Sequence, residues 1–315
     1  MTVPSKIGGV SINSISKLLG ESQTGITEFS KINRGGDGEA PPAPSSKGYV
    51  FGGFGTSRLQ DTDEYSPDSW ASKTDIPSPA RDRAGSFVVS EKAYSFGGFT
   101  TDEILDNDEY DPDTWTARTD LAAFRQKITG ASIGTTGYAF GGQNNASRYQ
   151  TCYSYSADSW AGIASMPSPG RADATAFTLS DKCYLCGGTT GSVRVADNDE
   201  YDPNSWTSKT DIPGVVRDMI ASCVISEKGY IFGGSNNSWE DDTDEYTVDT
   251  WTSKTDVPNG GVRAARASTV SDKGYLYGGF YGTARKYCKE YVSDTWTSKT
   301  DMPDPARYDH CAETI

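Results

Sequence analysis

The acidic stretch DNDEYDPDTW, residues 106–115, has the residue types of a calcium site, because carboxylates stand at alternate positions. A calcium loop of the EF-hand type also needs a glycine at its sharp turn and a final glutamate that binds with both oxygens. Both are missing, and related stretches recur at 61–65, 197–201 and 242–246. We interpret the stretch as an exposed acidic strand edge that prevents edge-to-edge pairing, and predict no metal site.

Residues for nucleophilic or acid–base chemistry are few. His310 is the single histidine, so a multi-histidine metal centre cannot form and a Ser-His-Asp triad has one candidate base. Cys183 and Cys186 have CxxC spacing, but residues three apart on a strand point to opposite faces, which favours buried free thiols. Carboxylates are plentiful, so the acid pair of a glycosidase remains an alternative. We predict no enzyme, no catalytic residue and no cofactor.

The composition indicates a β-rich protein. With 34 Gly and only 4 Met in 315 residues, short strands joined by turns are favoured over long helices. The net charge of −14 disfavours binding to nucleic acid. No apolar run approaches the roughly 20 residues of a membrane span, and the first residues lack a signal-peptide core. We expect folding in the cytosol without membrane insertion.

A repeat of 44 to 46 residues organises most of the chain. Its markers are six diglycines, each with a Tyr three positions earlier and a Trp 18 or 19 positions later; the pairs are Gly52-Gly53, Gly97-Gly98, Gly141-Gly142, Gly187-Gly188, Gly233-Gly234 and Gly278-Gly279. Each unit is predicted to form four short strands, as in GSFVVSEK, AYSFGG, DNDEYDPDTW and TARTD. Such a sheet cannot bury both faces alone, whereas several packed radially can.

A strand ending in Gly-Gly, then Tyr, then Trp, on this period resembles the kelch repeat, and six copies cover residues 47–315. The resemblance implies an all-β fold, a six-bladed kelch-type β-propeller. The first unit lacks an innermost strand, and MPDPARYDHCAETI near the chain end matches the start of such a strand, IPSPARDRAGSFVV. Residues 305–315 are therefore predicted to close the ring. His310 in that segment is interpreted as a polar residue of the propeller channel.

Residues that break the repeat are the candidates for ligand binding. The most divergent segments follow the diglycines and, in the family, share one face with the loops before the inner strands. On that face we predict a recognition site formed by Arg58, Asn144, Asn145, Arg148, Arg194, Trp239, Tyr281 and Arg285. Arginines that recur near the inner strands are predicted to tie blades together, with an anion-gripping ring as the alternative; they are Arg81, Arg125, Arg171, Arg217, Arg263 and Arg307.

Residues 1–46 lie outside the repeat. RGGDGEAPPAPSS, residues 34–46, is predicted to be a Gly/Pro/Ser linker. Residues 1–33 are too few for a core of their own and are predicted to be an anchor segment that orders against other structural proteins. The SKIGGVSI and ISKLLG stretches of this segment resemble the N-termini of tailed-bacteriophage structural proteins.

Together these patterns predict a non-enzymatic binding or structural module. The resemblance implies a virion-associated decoration, tail or fibre-type protein that displays a propeller toward a host-surface glycan or protein. The alternatives are an intracellular kelch adaptor that binds a peptide and a propeller enzyme that acts on carbohydrate.

Overall fold

The computed structural model describes residues 46–315 and two short strands near the start of the chain, β1 (Lys6–Ile7) and β2 (Val10–Ser11), which pair antiparallel. Apart from these two strands and Ser46, the predicted anchor (residues 1–33) and the predicted linker (residues 34–46) lie outside the described residues. Every regular element in the described part of the chain is a β-strand. Within those residues, no helix has the length and apolar character needed to cross a membrane.

Residues 46–315 form a six-bladed β-propeller of four-stranded antiparallel sheets. From the axis outward, the strands are β30 (Cys311–Thr314), β3 (Gly48–Phe51), β4 (Thr62–Ser66) and β5 (Ser69–Lys73) in blade 1; β6 (Gly85–Val89), β7 (Lys92–Phe96), β8 (Asn107–Asp111) and β9 (Thr114–Ala117) in blade 2; and β10 (Thr129–Ile133), β11 (Thr136–Phe140), β14 (Cys152–Ser156) and β15 (Ser159–Ile163) in blade 3.

The second half of the ring repeats this arrangement. Its strands are β16 (Thr175–Leu179), β17 (Lys182–Cys186), β18 (Asn198–Asp202) and β19 (Ser205–Lys209) in blade 4; β20 (Ala221–Ile225), β21 (Lys228–Ser235), β22 (Trp239–Thr247) and β23 (Thr250–Lys254) in blade 5; and β24 (Arg266–Val270), β25 (Lys273–Tyr277), β28 (Cys288–Val292) and β29 (Thr295–Ser298) in blade 6. Two-stranded ribbons extend the loops of blades 3 and 6: β12 (Gln143–Asn144) with β13 (Ser147–Arg148), and β26 (Phe280–Tyr281) with β27 (Thr283–Ala284).

The far end of the chain closes the ring, as the sequence predicts. Cys311 pairs with Phe51 and Thr314 with Gly48, so β30 is the innermost strand of blade 1. The Lys47 N–H donates to the Ile315 carbonyl at 2.9 Å, and the Ile315 N–H donates back at 3.0 Å. Each innermost strand contacts the innermost strands of both neighbouring blades, so the six surround the axis without an open edge.

Glycine is required at the diglycine positions because successive blades approach each other closely there. Gly97 and Gly98 have φ of +60° and +108°, which L side chains rarely adopt. A Cβ atom on Gly98 would lie 2.9 Å from the Asp82 carbonyl oxygen. The Gly98 N–H donates to the Arg125 carbonyl of blade 3 at 2.8 Å. The second glycine therefore joins its blade to the next one around the ring.

The recurring Trp and the segment that follows it, SKTD at residues 72–75 in blade 1, form the outer joint between blades. Trp115 packs against Tyr110 with ring centroids 4.9 Å apart, and its indole N–H donates to the Thr74 carbonyl of blade 1 at 2.9 Å. The Thr74 N–H in turn donates to an oxygen of Asp113 at 2.8 Å. Five more joints have the same tryptophan-to-carbonyl bond: Trp70 to Thr300, Trp160 to Thr119, Trp206 to Ala164, Trp251 to Thr210 and Trp296 to Thr255.

The prediction of an exposed acidic strand edge is wrong. In blades 1, 2, 4 and 5 the acidic stretch is the third strand of the sheet, between the second and fourth, and Asp108 and Glu109 are only 5% exposed. Arg81 donates through Nη2 to Oδ2 of Asp108. The same buried ion pair recurs as Arg171–Asp199, Arg217–Asp244 and Arg307–Asp63. The acids are buried because each has a cation within hydrogen-bonding distance.

The recurring arginines have two roles. Their backbone carbonyls accept hydrogen bonds from the preceding blade, and their side chains stabilise their own blade. The Gly53 N–H of blade 1 donates to the Arg81 carbonyl at 2.9 Å, while the Arg81 guanidinium pairs with an acid of blade 2. Including Arg263 in this set was wrong, because Val262 accepts the equivalent bond from Gly234 at 2.8 Å. Blade 6 therefore lacks the arginine, and Lys289 replaces the acid on its third strand.

Candidate ligand-binding site on the loop face

One face of the propeller gathers the loops that follow the diglycines and the loops that precede the innermost strands. We call it the loop face. The two sets of loops are joined by backbone bridges, for example Asp82 with Phe99 and Gln126 with Gln143. The opposite hairpin face carries the turns between first and second strands, such as residues 90–91 and 271–272, and also Ser46, where the described chain enters blade 1.

Two of the predicted site arginines are held by acids of the next blade. The Arg58 Nε donates to Asp82 at 2.9 Å and to the Phe99 carbonyl at 3.0 Å. The Arg194 Nε lies 2.9 Å from Asp218, whose pKa burial raises while this arginine lowers it. Both guanidinium groups therefore join neighbouring loops, which limits the hydrogen bonds that they can offer to a ligand.

Asn144, Asn145 and Arg148 lie on the ribbon above blade 3. The Asn145 N–H donates to Glu103 of blade 2 at 2.8 Å, and its side-chain amide donates to Asn144 at 2.8 Å. The Arg148 Nη1 donates to the Ala146 carbonyl at 2.6 Å. These three residues form a polar sector of the loop face.

The loops of blades 5, 6 and 1 form a continuous row of aromatic rings, which we call the aromatic arc. Trp239 and Tyr281 have ring centroids 4.9 Å apart, and Trp239 and Phe280 6.4 Å apart. Tyr308 continues the row, 5.1 Å from Phe280 and 5.6 Å from Phe54. Trp239 is 40% exposed and Tyr281 36% exposed, so the row presents large apolar surfaces to solvent.

Guanidinium groups flank the aromatic arc. Arg285 lies over the Tyr281 ring at 5.4 Å and donates to the Tyr281 carbonyl at 2.9 Å. Arg263 lies over Phe280 at 5.2 Å, and Arg58 lies over Phe54 at 5.7 Å. A cation–π contact holds a guanidinium group against an apolar surface and leaves its remaining N–H groups for hydrogen bonds.

The structure thus brings together Trp239, Tyr281 and Arg285, with Arg58 at the far end of the same arc. The other predicted residues lie on blades 3 and 4. Asn144, Asn145 and Arg148 form the polar sector, and Arg194 lies in the loop of blade 4. Three residues of the arc, Phe54, Phe280 and Tyr308, were not among the predicted site residues. A signal was available, because Phe directly follows the diglycine in units one, two and six and a polar residue does so in the others.

A collar of backbone hydrogen bonds surrounds the axis at the loop face. Six residues at positive φ, one per blade, each donate an N–H to the carbonyl of the preceding blade at 2.8 to 3.1 Å; they are Arg83, Lys127, Asp173, Met219, Ala264 and Asp309. Burial raises the pKa of Asp309 to about 6, reinforced by Asp173 and opposed by Arg83 and Arg266. Lys127 and Asp173 form an ion pair at 2.7 Å.

His310 lies outside the channel, contrary to the sequence-based interpretation. It is 1% exposed and packs against Gly53 and Gly278, between blades 1 and 6. Burial lowers its pKa well below the usual value, and the nearby Arg307 and Arg266 lower it further, so the imidazole is neutral. Among residues 46–315, no group of three or more His, Cys, Asp and Glu side chains is arranged to hold a metal ion.

Comparison with known proteins supports the architecture. A solved structure titled "Structure of YjhT" superposes with a TM-score of 0.67 at 14% sequence identity, covering 82% of this chain and 99% of that chain. No family model matches the sequence, and no curated protein does. At this identity, the likeness shows the fold alone: the chain is a six-bladed β-propeller.

Proposed function

We propose that this propeller is a non-enzymatic binding module whose ligand contacts the aromatic arc. The observation that carries the proposal is the exposed pair of Trp239 and Tyr281, 4.9 Å apart and outside the repeated framework. Sugar rings and flat side chains pack against such surfaces through their apolar faces, while polar groups at the rim orient them. Arg285 and Arg263 supply that rim, so a surface glycan fits the arc.

The surroundings of the arc favour binding over catalysis. The acids nearest the loops are engaged, since Asp82 pairs with Arg58 and Asp218 with Arg194. A glycosidase would need two carboxyl groups that face one bound sugar with a gap of roughly 5 to 10 Å between them. His310 is enclosed between blades. These features support a module that recognises its ligand without chemical change.

We further propose that the propeller is displayed on a larger assembly, a tailed-phage virion, through residues 1–33. Ser46 lies on the hairpin face, where its hydroxyl accepts the Ser271 N–H at 2.9 Å. Ser46 therefore lies on the side of the ring away from the aromatic arc. The net charge of −14 suits contact with a host-surface glycan or protein and not with nucleic acid.

The arc is tested by measuring binding of fluorescently labelled full-length protein to a glycan array and to a peptide array. Trp239→Ala and Arg285→Ala are expected to weaken glycan binding at least tenfold with an unchanged melting temperature. Val248→Ala is the matched control, because Val248 is 94% exposed in a turn of blade 5 outside the arc. Binding to peptides alone would favour the intracellular kelch adaptor, and turnover of an array glycan would favour the carbohydrate-active enzyme.

The display proposal has a separate test. Full-length protein and a variant that lacks residues 1–33 are mixed with virion structural proteins from the source material and sedimented. We expect the full-length protein to co-sediment and the truncated protein to stay in solution. Equal co-sedimentation of both would contradict an anchor in residues 1–33 and leave the glycan proposal unaffected.

A further inference from the structure

The propeller axis encloses a cavity of about 270 Å³. Its walls are the innermost strands of the six blades, which present small side chains at alternate positions. Hydroxyl groups dominate the polar part of the wall: Ser86, Ser132, Thr178, Ser222, Thr269 and Thr314. The volume approaches the roughly 300 Å³ at which small-ligand sites begin.

Arg266 and Glu313 are the two charged residues that line this cavity. Both break the repeat. At the strand position of Arg266, the other blades have Gly85, Thr129, Thr175, Ala221 and Cys311. At the position of Glu313 they have Phe87, Ala131, Phe177, Cys223 and Ser268. The six-fold framework therefore requires neither charge, because five blades form without them.

Neither charged group has an ionic partner among the described residues. The Arg266 guanidinium makes one hydrogen bond, from Nη1 to the Ala265 carbonyl at 3.2 Å. Burial raises the pKa of Glu313 to about 7, although the Ser86 hydroxyl and Arg266 act in the opposite direction. Arg266 is half-buried in the wall of this cavity, and its remaining N–H donors are free to bind an anionic ligand.

We propose that the central channel binds a small hydroxycarboxylate, with its carboxylate on Arg266 and its hydroxyl groups on Glu313 and the hydroxyl-rich wall. A guanidinium offers two parallel N–H donors that match a carboxylate. A neutral carboxyl group both donates and accepts hydrogen bonds, which matches an alcohol. The cavity volume limits the ligand to a small molecule. This site is separate from the aromatic arc.

Isothermal titration calorimetry of full-length protein with D-glycerate at pH 7 tests this site. Propionate lacks the hydroxyl groups, glycerol lacks the carboxylate, and inorganic phosphate tests for a plain anion site. We expect saturable binding of glycerate, at least fivefold weaker binding of propionate and no binding of glycerol. Absence of glycerate binding, or equal binding of phosphate, would overturn the proposal.

Two variants locate the binding. Arg266→Gln should weaken glycerate binding at least tenfold, whereas Val248→Ala in an exposed turn of blade 5 should leave it unchanged. Should Arg266→Gln fail to fold, Ala176→Leu fills the cavity from blade 4 without touching either charge, and it should also abolish binding. Glycerate binding that survives both channel variants would place the ligand elsewhere. Because glycan binding depends on Trp239 and not on Arg266, the two proposals can fail independently.

Discussion

Blades 2 and 3 are neighbours with the same strand order, but their buried polar groups differ. In blade 2, Glu109 accepts hydrogen bonds from the Tyr94 hydroxyl at 2.5 Å, Lys92 at 2.9 Å and Arg118 at 2.8 Å. Burial alone would raise the pKa of Glu109, but these three bonds outweigh it and lower the pKa to about 2. Blades 1, 4, 5 and 6 contain the same network around Glu64, Glu200, Glu245 and Glu290.

Blade 3 replaces the acid and both cations of this network together and keeps the tyrosine, Tyr138. Ser154 takes the place of the glutamate, Thr136 that of the first lysine and Ile163 that of the second cation. Tyr153 stands where the third strands of blades 1, 2, 4 and 5 have an acid, and Arg125 lies 3.6 Å over the Tyr149 ring instead of forming an ion pair. The blade still forms, so the glycines and apolar side chains shared by both blades suffice for the fold. The ionic groups are stabilising only as complete sets.

The largest expected effect is the loss of one member of the buried ion pair in blade 2. Arg81→Leu leaves Asp108 buried without its cation, and we expect a loss of about 3–5 kcal/mol in the free energy of unfolding. Arg125→Leu in blade 3 removes a cation with no facing acid and should cost about 1–2 kcal/mol. Urea denaturation at pH 7 measures both. Equal losses would show that the acid of blade 2 does not need its partner.

A second test uses pH. The pKa of Glu109 falls on folding, from 4.5 to about 2, so its contribution is complete above pH 4.5 and disappears as the pH falls toward 2. The free-energy difference between wild type and Glu109→Gln should shrink by up to about 1.4 kcal/mol per pH unit in this range, about 3 kcal/mol in all. Urea denaturation at several pH values measures it. A difference that does not change with pH would contradict the network.

A smaller effect is expected when the acid and the two cations of the blade 2 network are replaced by the corresponding residues of blade 3. Glu109→Ser alone leaves Arg118 without its acceptor and Lys92 with only Asp111, and should cost about 2 kcal/mol. Adding Lys92→Thr and Arg118→Ile removes those cations, and the triple variant should come within about 1 kcal/mol of wild type. Melting temperatures and urea midpoints report the recovery. A triple variant less stable than the single one would refute the view that blade 3 is a self-consistent alternative.

The smallest effect is expected in blade 3 itself. Ser154 is only partly buried and makes no side-chain hydrogen bond within the described residues. Ser154→Ala should therefore change the free energy of unfolding by less than about 0.5 kcal/mol. The same urea titration checks this value. A loss comparable to that of Glu109→Ser would indicate a polar network in blade 3.

The sequence predicted the ring because its signals are local and repeated. The diglycines, their tyrosines and the tryptophans give the blade count, and the unpaired first unit gives the closing strand. The burial of the acids was not predictable from one strand, because Arg81 lies 27 residues before Asp108 and Tyr94 lies 15 residues before Glu109. One signal of the ion pair is present in the sequence: in blade 6, Val262 and Lys289 replace the arginine and the acid together.

The aromatic arc was predicted only in part for a similar reason. Trp239 and Tyr281 stand out as unmatched aromatics in variable loops, whereas Phe54 and Phe280 look like part of the repeat. Tyr308 comes from the closing segment and reaches Phe54 only when the ring is complete. A row built from three blades depends on the tertiary arrangement, which no single loop encodes.

The position of β30 determines when the ring can close during synthesis of the chain. The strand Gly48–Phe51 leaves the ribosome before all the other strands of the ring, and its partner Cys311–Thr314 leaves after them. Blades 2 to 6 can each fold as they emerge, whereas blade 1 waits with an unpaired inner edge. Its buried ion pair joins residues 244 positions apart. Ring closure is therefore the last step in forming the propeller, and a nascent chain that stalls before it presents an open β-edge to chaperones and proteases.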